Sequence, residues 1–209
     1  MAAAMAEAGK QRTGRVRELS LHILDVLENA LEAGATRVEL SIIEDPEMDK
    51  LTIDVQDNGR GMDAEATRRA LDPFFTTRTT RHVGLGLPLF AAAARRCDGD
   101  LTLESVPGQG TRVRATFRHN HLDRAPLGNL TDSLLAFLLS ERREIELRYR
   151  HLANSRTFQF DTAAIQAELG EVPLSHPQAR EWLYEYIAEG EAELRGPADH
   201  RPPMGGDYA

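Results

Sequence analysis

The stretch Glu18-Leu19-Ser20-Leu21-His22-Ile23-Leu24-Asp25-Val26-Leu27-Glu28-Asn29-Ala30-Leu31-Glu32-Ala33 runs without a glycine or proline and stops at Gly34. It reads as one helix closed by that glycine. Leu19, Leu21, Ile23, Leu24, Val26, Leu27, Ala30 and Leu31 leave little room for a solvated side, so the helix should be buried. Glu18, His22, Asp25, Asn29 and Glu32 recur at spacings of three and four and stack along one side. Such a stripe has two readings. It faces water, or it lines a cavity that holds something polar.

The later strands and helices are spaced for an α+β fold. Residues 35–43 and 51–56 alternate and are β-branched, so they read as a hairpin of strands around a turn at Pro46. Asp57-Asn58-Gly59-Arg60-Gly61-Met62 comes directly after. Asp63 is placed to cap a short helix that runs to Leu71, with Glu65 in its first turn. Residues 72–83 have no period and are rich in Thr and Arg, as in a loop. Gly84-Leu85-Gly86-Leu87-Pro88 opens a helix that runs to about Cys97. Strands are expected over 101–106 and 111–118, with a tight turn at Pro107-Gly108-Gln109-Gly110 between them. This order implies helices on one face of an antiparallel or mixed sheet. Beyond a connector at 119–128, the pattern predicts a helix over 130–141 and a hairpin of 144–150 with 156–160. Two more helices are predicted over 162–169 and 178–194.

The chain has 209 residues, enough to bury a real core. Its net charge of −8 argues against a general nucleic-acid binder. Residues 1–120 hold 16 basic and 18 acidic residues, and residues 121–209 hold 9 and 15, so the composition shifts near position 120. No apolar run approaches the ~20 residues that span a bilayer, and the single cysteine, Cys97, excludes an intrachain disulfide. We expect a cytoplasmic protein with no membrane contact. Residues 1–14 and 196–209 are expected to be a disordered lead-in and tail. Residues 15–118 are expected to form one domain and 120–195 a small α+β domain of its own.

No G-x-x-x-x-G-K-[ST] stretch is present, so a P-loop is excluded. Gly84-Leu85-Gly86 reads either as a flexible loop or as a phosphate site. The helix after Gly86 offers unpaired N–H groups and a positive dipole end, and Arg78, Arg81 and His82 lie just upstream. Asp57-x-Gly59-x-Gly61 reads either as a surface turn or as a carboxylate followed by backbone that a flat ligand can approach closely.

These pieces resemble one family in order and spacing. Glu28 to Thr36 is similar to the N box of the GHKL ATPases, the superfamily of gyrase, Hsp90, histidine kinases and MutL. Asp57 to Met62 resembles its G1 box, and Asp72-Pro73-Phe74-Phe75 the F box of histidine kinases. Gly84-Leu85-Gly86-Leu87 resembles their G2 box, and Gly110-Thr111 the strand that closes the adenine pocket. The resemblance implies a two-layer α/β sandwich of the Bergerat type over 15–118, binding ATP and Mg²⁺. By the same resemblance, Asn29 would coordinate Mg²⁺ and Asp57 would bind the adenine amine, helped by Thr111. Gly59 and Gly61 would let backbone pass the base, and Met62 would line its pocket. Arg78, Gly84, Leu85 and Gly86 would belong to a lid over the phosphates, formed by residues 74–86. Asp25 stands where several branches of the family place a Glu as general base, and its shorter reach leaves that role open.

Residues 1–17 are too few for the long phosphoacceptor helix pair of a histidine kinase, so we expect that module to be absent. The F-x-T-x-T-x-G-x-R-G-E pattern of MutL-like lids is missing, which argues against mismatch repair. Two functions are expected. In one, an ATP-binding protein phosphorylates a protein partner or hydrolyses ATP slowly. In the other, a non-catalytic regulatory subunit senses ATP and ADP, and a partner reads its lid. Homo-oligomerisation is left open.

Overall fold

The computed structural model describes residues 18–72, 86–140 and 145–196. In chain order the elements are α1 (Leu19–Glu32), β1 (Arg37–Asp45), β2 (Lys50–Asp57), α2 (Ala64–Arg69), α3 (Gly86–Arg96), β3 (Asp100–Val106), β4 (Gly110–Arg118), α4 (Leu130–Leu138), β5 (Glu146–Ala153), β6 (Arg156–Asp161), α5 (Thr162–Leu169) and α6 (Pro177–Leu194). The six strands form one sheet in the order β3-β4-β2-β1-β5-β6. β1 and β5 run parallel, and the other neighbours are antiparallel. The expected lead-in and, beyond Gly196, the expected tail lie outside the described residues, as do Arg78, Gly84, Leu85 and nearly all of the expected lid.

The first half of the chain leans on the second through α1. No side chain caps the N-terminus of this helix. The amides of Leu19 and Ser20 instead donate to the carbonyls of Pro126 and Leu127, at 3.0 and 2.8 Å. The connector after β4 thus satisfies donors that a helix start leaves open. At the other end, Gly34 N donates to Leu31 O and Ala35 N to Ala30 O, both at 3.0 Å. That pair of bonds is the Schellman stop. Asp63 accepts from Ala66 N at 2.8 Å and caps α2. Asn154 and Ser155, with φ of 50° and 61°, make the two-residue turn between β5 and β6.

Strand alternation divides the sheet cleanly. Val38, Leu40 and Ile42 of β1, Leu51, Ile53 and Val55 of β2, Val113, Ala115 and Phe117 of β4, and Leu147 and Tyr149 of β5 are buried. They join Leu19, Ile23, Leu27 and Ala30 of α1, Phe90 and Ala94 of α3, Leu134 and Phe137 of α4, and Leu183 and Ile187 of α6 in one apolar cluster. The opposite face is polar. On it Asp54 accepts from Arg112 at 2.9 and 2.7 Å and from Arg114 at 2.8 Å. Burial acts to raise the Asp54 carboxyl, and the two guanidinium groups outweigh it and hold it below the usual range. The shift of composition near position 120 is not a break in the sheet. Seven residues of β1 pair with β5, from Arg37 opposite Glu146 to Ile43 opposite Leu152.

Polar groups also sit within the helix-facing side, where the far end of β1 meets β5. His151 is 2 % exposed. Its Nδ1 lies 3.0 Å from Glu191 Oε2 of α6, and its Nε2 lies 3.2 Å from Glu44 Oε1 of β1. Tyr149 donates to Glu191 Oε1 at 2.6 Å, and His119 Nε2 lies 2.9 Å from Glu44 Oε2. With a carboxylate on each ring nitrogen, only the imidazolium donates to both. Burial acts to lower the His151 pKa, but Glu191 and Glu44 outweigh it and push it up to about 9. The hydrogen bond from His151 leads the causes that hold Glu44 down at about 2.

Candidate nucleotide site

Asp57 is the last residue of β2 and continues the inward alternation of Ile53 and Val55. Thr111 stands directly opposite it on β4, and Ser105 stands opposite Thr111 on β3. Three polar side chains therefore line up across three strands, on the side of the sheet that carries the helices. Burial pushes the Asp57 carboxyl above its usual range, against the pull of the Gly59 and Thr111 amides. The Gly59 amide donates to Asp57 Oδ1 at 2.7 Å. Asp57 thus differs from Asp54, three residues earlier, which is spent on two arginines at the opposite face.

The loop after Asp57 is held at both ends. Asn58 Oδ1 accepts from the amides of Thr36 and Arg37, both at 2.9 Å, and its Nδ2 donates to Thr36 Oγ1 at 3.0 Å. Arg60 donates through its amide to Ala33 O at 2.9 Å and through Nη1 to Glu32 O at 3.0 Å. The Gly108 amide in turn donates to Arg60 O at 2.7 Å. The loop is thereby fixed between the end of α1 and the turn between β3 and β4. Gly61 has φ +64°, and a side chain there would run into the Val106 carbonyl. Gly110 has φ +104°, and a side chain there would run into the Asp57 carbonyl. Both need glycine for its backbone freedom and for the room.

Asp25 and Asn29 on α1, and Ala33 just beyond its end, succeed one another at intervals of one turn and so share a face. A Cβ on Gly86, the first residue of α3, would lie 3.1 Å from Asp25 Oδ2. A Cβ on Gly59 would lie 2.8 Å from the Ala33 methyl. Asn29 thus stands between the start of α3 and the loop after β2. Asp25 and Asn29 are half-buried rather than fully solvated. Further along the stripe, His22 is buried and stacks on Phe90 of α3, with ring centroids 5.2 Å apart and planes 6° from parallel. The start of α3 lies against the Asp25 carboxylate.

Two groups of the expected residues are thus placed. Asp57, Gly59, Gly61, Met62 and Thr111 gather around the ends of β2, β3 and β4, and Asp25, Asn29 and Gly86 gather where α1 meets α3. Arg78, Gly84 and Leu85 lie outside the described residues. Sequence reasoning missed Ser105, whose hydroxyl accepts from Met62 N at 2.8 Å, donates to Gly110 O at 3.1 Å and lies 2.9 Å from Thr111 Oγ1. Its inward alternation with Leu101 and Leu103 was the available signal. Asn58 and Arg60 are the two unspecified positions of Asp57-x-Gly59-x-Gly61, and nothing local marks them. Two open clefts lie elsewhere, one bordered by Met48, Lys50 and Arg118, the other by Asn129, Tyr184 and Arg195. Neither includes any of the residues gathered here.

Among the described residues, no cluster of three or more His, Cys, Asp or Glu side chains could hold a metal ion. No helix among them is long and apolar enough to cross a membrane. Residues 14–121 match the sequence family described as histidine kinase-, DNA gyrase B-, and HSP90-like ATPase. The sensor protein kinase FleS of Pseudomonas aeruginosa is 43% identical over 89 residues, covering 43% of this chain and 22% of that protein. The signal transduction histidine-protein kinase AtoS of Escherichia coli is 35% identical over 110 residues, 52% of this chain and 17% of that protein. The sensor histidine kinase YxdK of Bacillus subtilis is 30% identical over 106 residues, 47% of this chain and 32% of that protein. The chain therefore spans less than a third of the length of each of these relatives. The family match takes in α1 to β4, the segment that carries the row of Asp57, Thr111 and Ser105. By that match the chain belongs to the histidine kinase-, DNA gyrase B-, and HSP90-like ATPase family.

Proposed function

We propose that this chain binds ATP and uses it on a protein partner, by transferring phosphate or by slow hydrolysis. The observation that carries the reading is the half-buried Asp57 carboxyl, set beside Thr111 at the strand ends and approached by a glycine loop. An acceptor of this kind suits a ring that offers an exocyclic N–H donor, as adenine does. Family membership supports the same ligand.

In this reading Asp57 holds the base and fixes its orientation, while Gly59 and Gly61 keep the wall beside it thin. Met62 borders the base, and Asn29 offers its side-chain oxygen toward Mg²⁺. That ion is commonly held by one or two protein oxygens plus phosphate, so a single amide oxygen on a half-buried helix face suits it. When bound, Mg²⁺ would neutralise charge on the phosphates. Asp25, one turn before Asn29, would take the proton from a water or from a hydroxyl of the partner. Arg78, Gly84, Leu85 and Gly86 remain candidates for the phosphate end.

A second reading has its own observation. The Asp25 carboxylate lies against the first residue of α3, where it balances the helix end instead of serving as a base. In that case the chain senses ATP and ADP, and a partner reads the result. Phosphate transfer from γ-labelled ATP to co-purified proteins, in wild type and Asp25→Asn, separates the two. Loss of transfer with ATP binding intact supports the base. If wild type neither binds ATP in calorimetry nor labels a partner, the nucleotide reading fails.

A further inference from the structure

The Ser105 hydroxyl has one proton and two lone pairs, and three neighbours compete for them. The Met62 amide can only donate, and it lies 2.8 Å away. The Gly110 carbonyl can only accept, and it lies 3.1 Å away. Those two bonds use one lone pair and the single proton. What remains for Thr111 Oγ1, at 2.9 Å, is the second lone pair. Thr111 must then be the donor in that contact. The alternative, with the Ser105 proton aimed at Thr111, removes this bond from the carbonyl of a buried residue, Gly110. With its own proton committed to Ser105, Thr111 Oγ1 can offer only lone pairs to anything else that it meets.

This matters because Thr111 sits directly across from Asp57. An ionised Asp57 is likewise an acceptor only. The two side chains therefore present the same polarity. We propose that Ser105 is a specificity-determining positioning residue, which takes the Thr111 proton and so tunes the site for a purine that carries an exocyclic amine over one that carries a carbonyl. The inference rests on the nucleotide reading of this site. Ser105 need not touch the ligand, since it acts by deciding which way Thr111 points its hydrogen.

The test is a calorimetric titration of wild type, Ser105→Ala and Ser105→Thr with ATP and with inosine triphosphate, in which a carbonyl replaces the amine. In Ser105→Ala the Thr111 hydroxyl is released and can donate to the carbonyl. The ATP-to-inosine preference should then narrow by about tenfold, the worth of one directed hydrogen bond, with inosine triphosphate binding more tightly than to wild type. Ser105→Thr keeps the hydroxyl and should keep the wild-type ratio. A merely structural role would weaken both nucleotides together and leave the ratio alone, and that result would overturn the proposal. Should Ser105→Ala fail to fold, Ser105→Cys, a weaker donor and acceptor of similar size, reads the same ratio under the same criterion. If wild type binds neither nucleotide, the site reading falls; if wild type prefers ATP and no variant changes that preference, only the role of Ser105 falls.

Discussion

Raising the pH from 6 to 10 should strip this fold of one identifiable contribution. In an unfolded chain His151 titrates near 6.5, while between Glu191 and Glu44 it is pushed up to about 9. Each tenfold gain in proton affinity is worth about 1.4 kcal/mol, so the folded imidazolium contributes about 3 kcal/mol. A raised pKa means the folded state binds the proton more tightly. The contribution is therefore complete below pH 6.5, shrinks above it and is gone once pH passes 9. Glu44 works in the opposite sense. Held down at about 2 against an ordinary 4.5, it contributes above pH 4.5 and loses that as pH falls toward 2. Both reflect largely one ion pair, so their energies are not summed, and the network should be strongest between about pH 4.5 and 6.5. The assay is urea unfolding at pH 6, 8 and 10 for wild type and His151→Gln. With an m value of about 2 kcal/mol/M, the wild-type midpoint should fall about 1.5 M further than that of the variant between pH 6 and 10. Ionisable groups outside this network act alike in both proteins and cancel in the difference. Equal pH dependence in the two would refute the reasoning.

Asp57→Asn should weaken ATP binding by about 1–3 kcal/mol, the cost of a mispaired buried polar group, and calorimetry that finds unchanged affinity removes Asp57 from the base site. Asn29→Ala should reduce the enhancement of ATP binding by Mg²⁺ more than the binding measured without the ion; equal enhancement in mutant and wild type would count against Asn29 as a ligand. Gly110→Ala should lower stability by more than about 2 kcal/mol, because it adds a steric conflict with Asp57 to the strain of a positive φ. Gly108→Ala, with φ +75° and open space around it, should cost about 1 kcal/mol from the backbone alone, and melting curves in which the two variants match would contradict this.

The sequence made the elements legible because each carried its own period. The run from Glu18 to Ala33, the alternation of 51–56 and 111–118, and the hairpin of 144–150 with 156–160 all depend on residues close together in the chain. The glycines at 61 and 110 were legible in part for the same reason, since each takes a positive φ, whereas the approach of Gly59 to Ala33 belongs to distant contacts. What could not be read is what depends on partners brought from far away. Nothing near Leu19 and Ser20 shows that their amides end on Pro126 and Leu127. Nothing near Arg37 shows that β1 has Glu146–Leu152 alongside it. Ser105 was invisible as a site residue because its role exists only once β3, β4 and the loop at Met62 are in register. His151 was silent in the same way, since its two carboxylates come from positions 44 and 191.

The parallel pairing of β1 with β5 also imposes a timetable on synthesis. β1 and its partner are separated by 109 positions, as in the pair of Arg37 with Glu146. A ribosome adding about 5–20 residues per second leaves that edge of the hairpin unmatched for about 5–20 s. Throughout that interval the backbone of a strand carrying Val38, Leu40 and Ile42 is open to any other extended segment. α1 waits as well, because the carbonyls that receive its first amides belong to residues made only after β4. A nascent chain or a truncated gene product that stops at position 121 should therefore be prone to pair edge to edge with its own copies. The later α4–β5–β6–α6 segment acts, in effect, as the shield that ends this exposure.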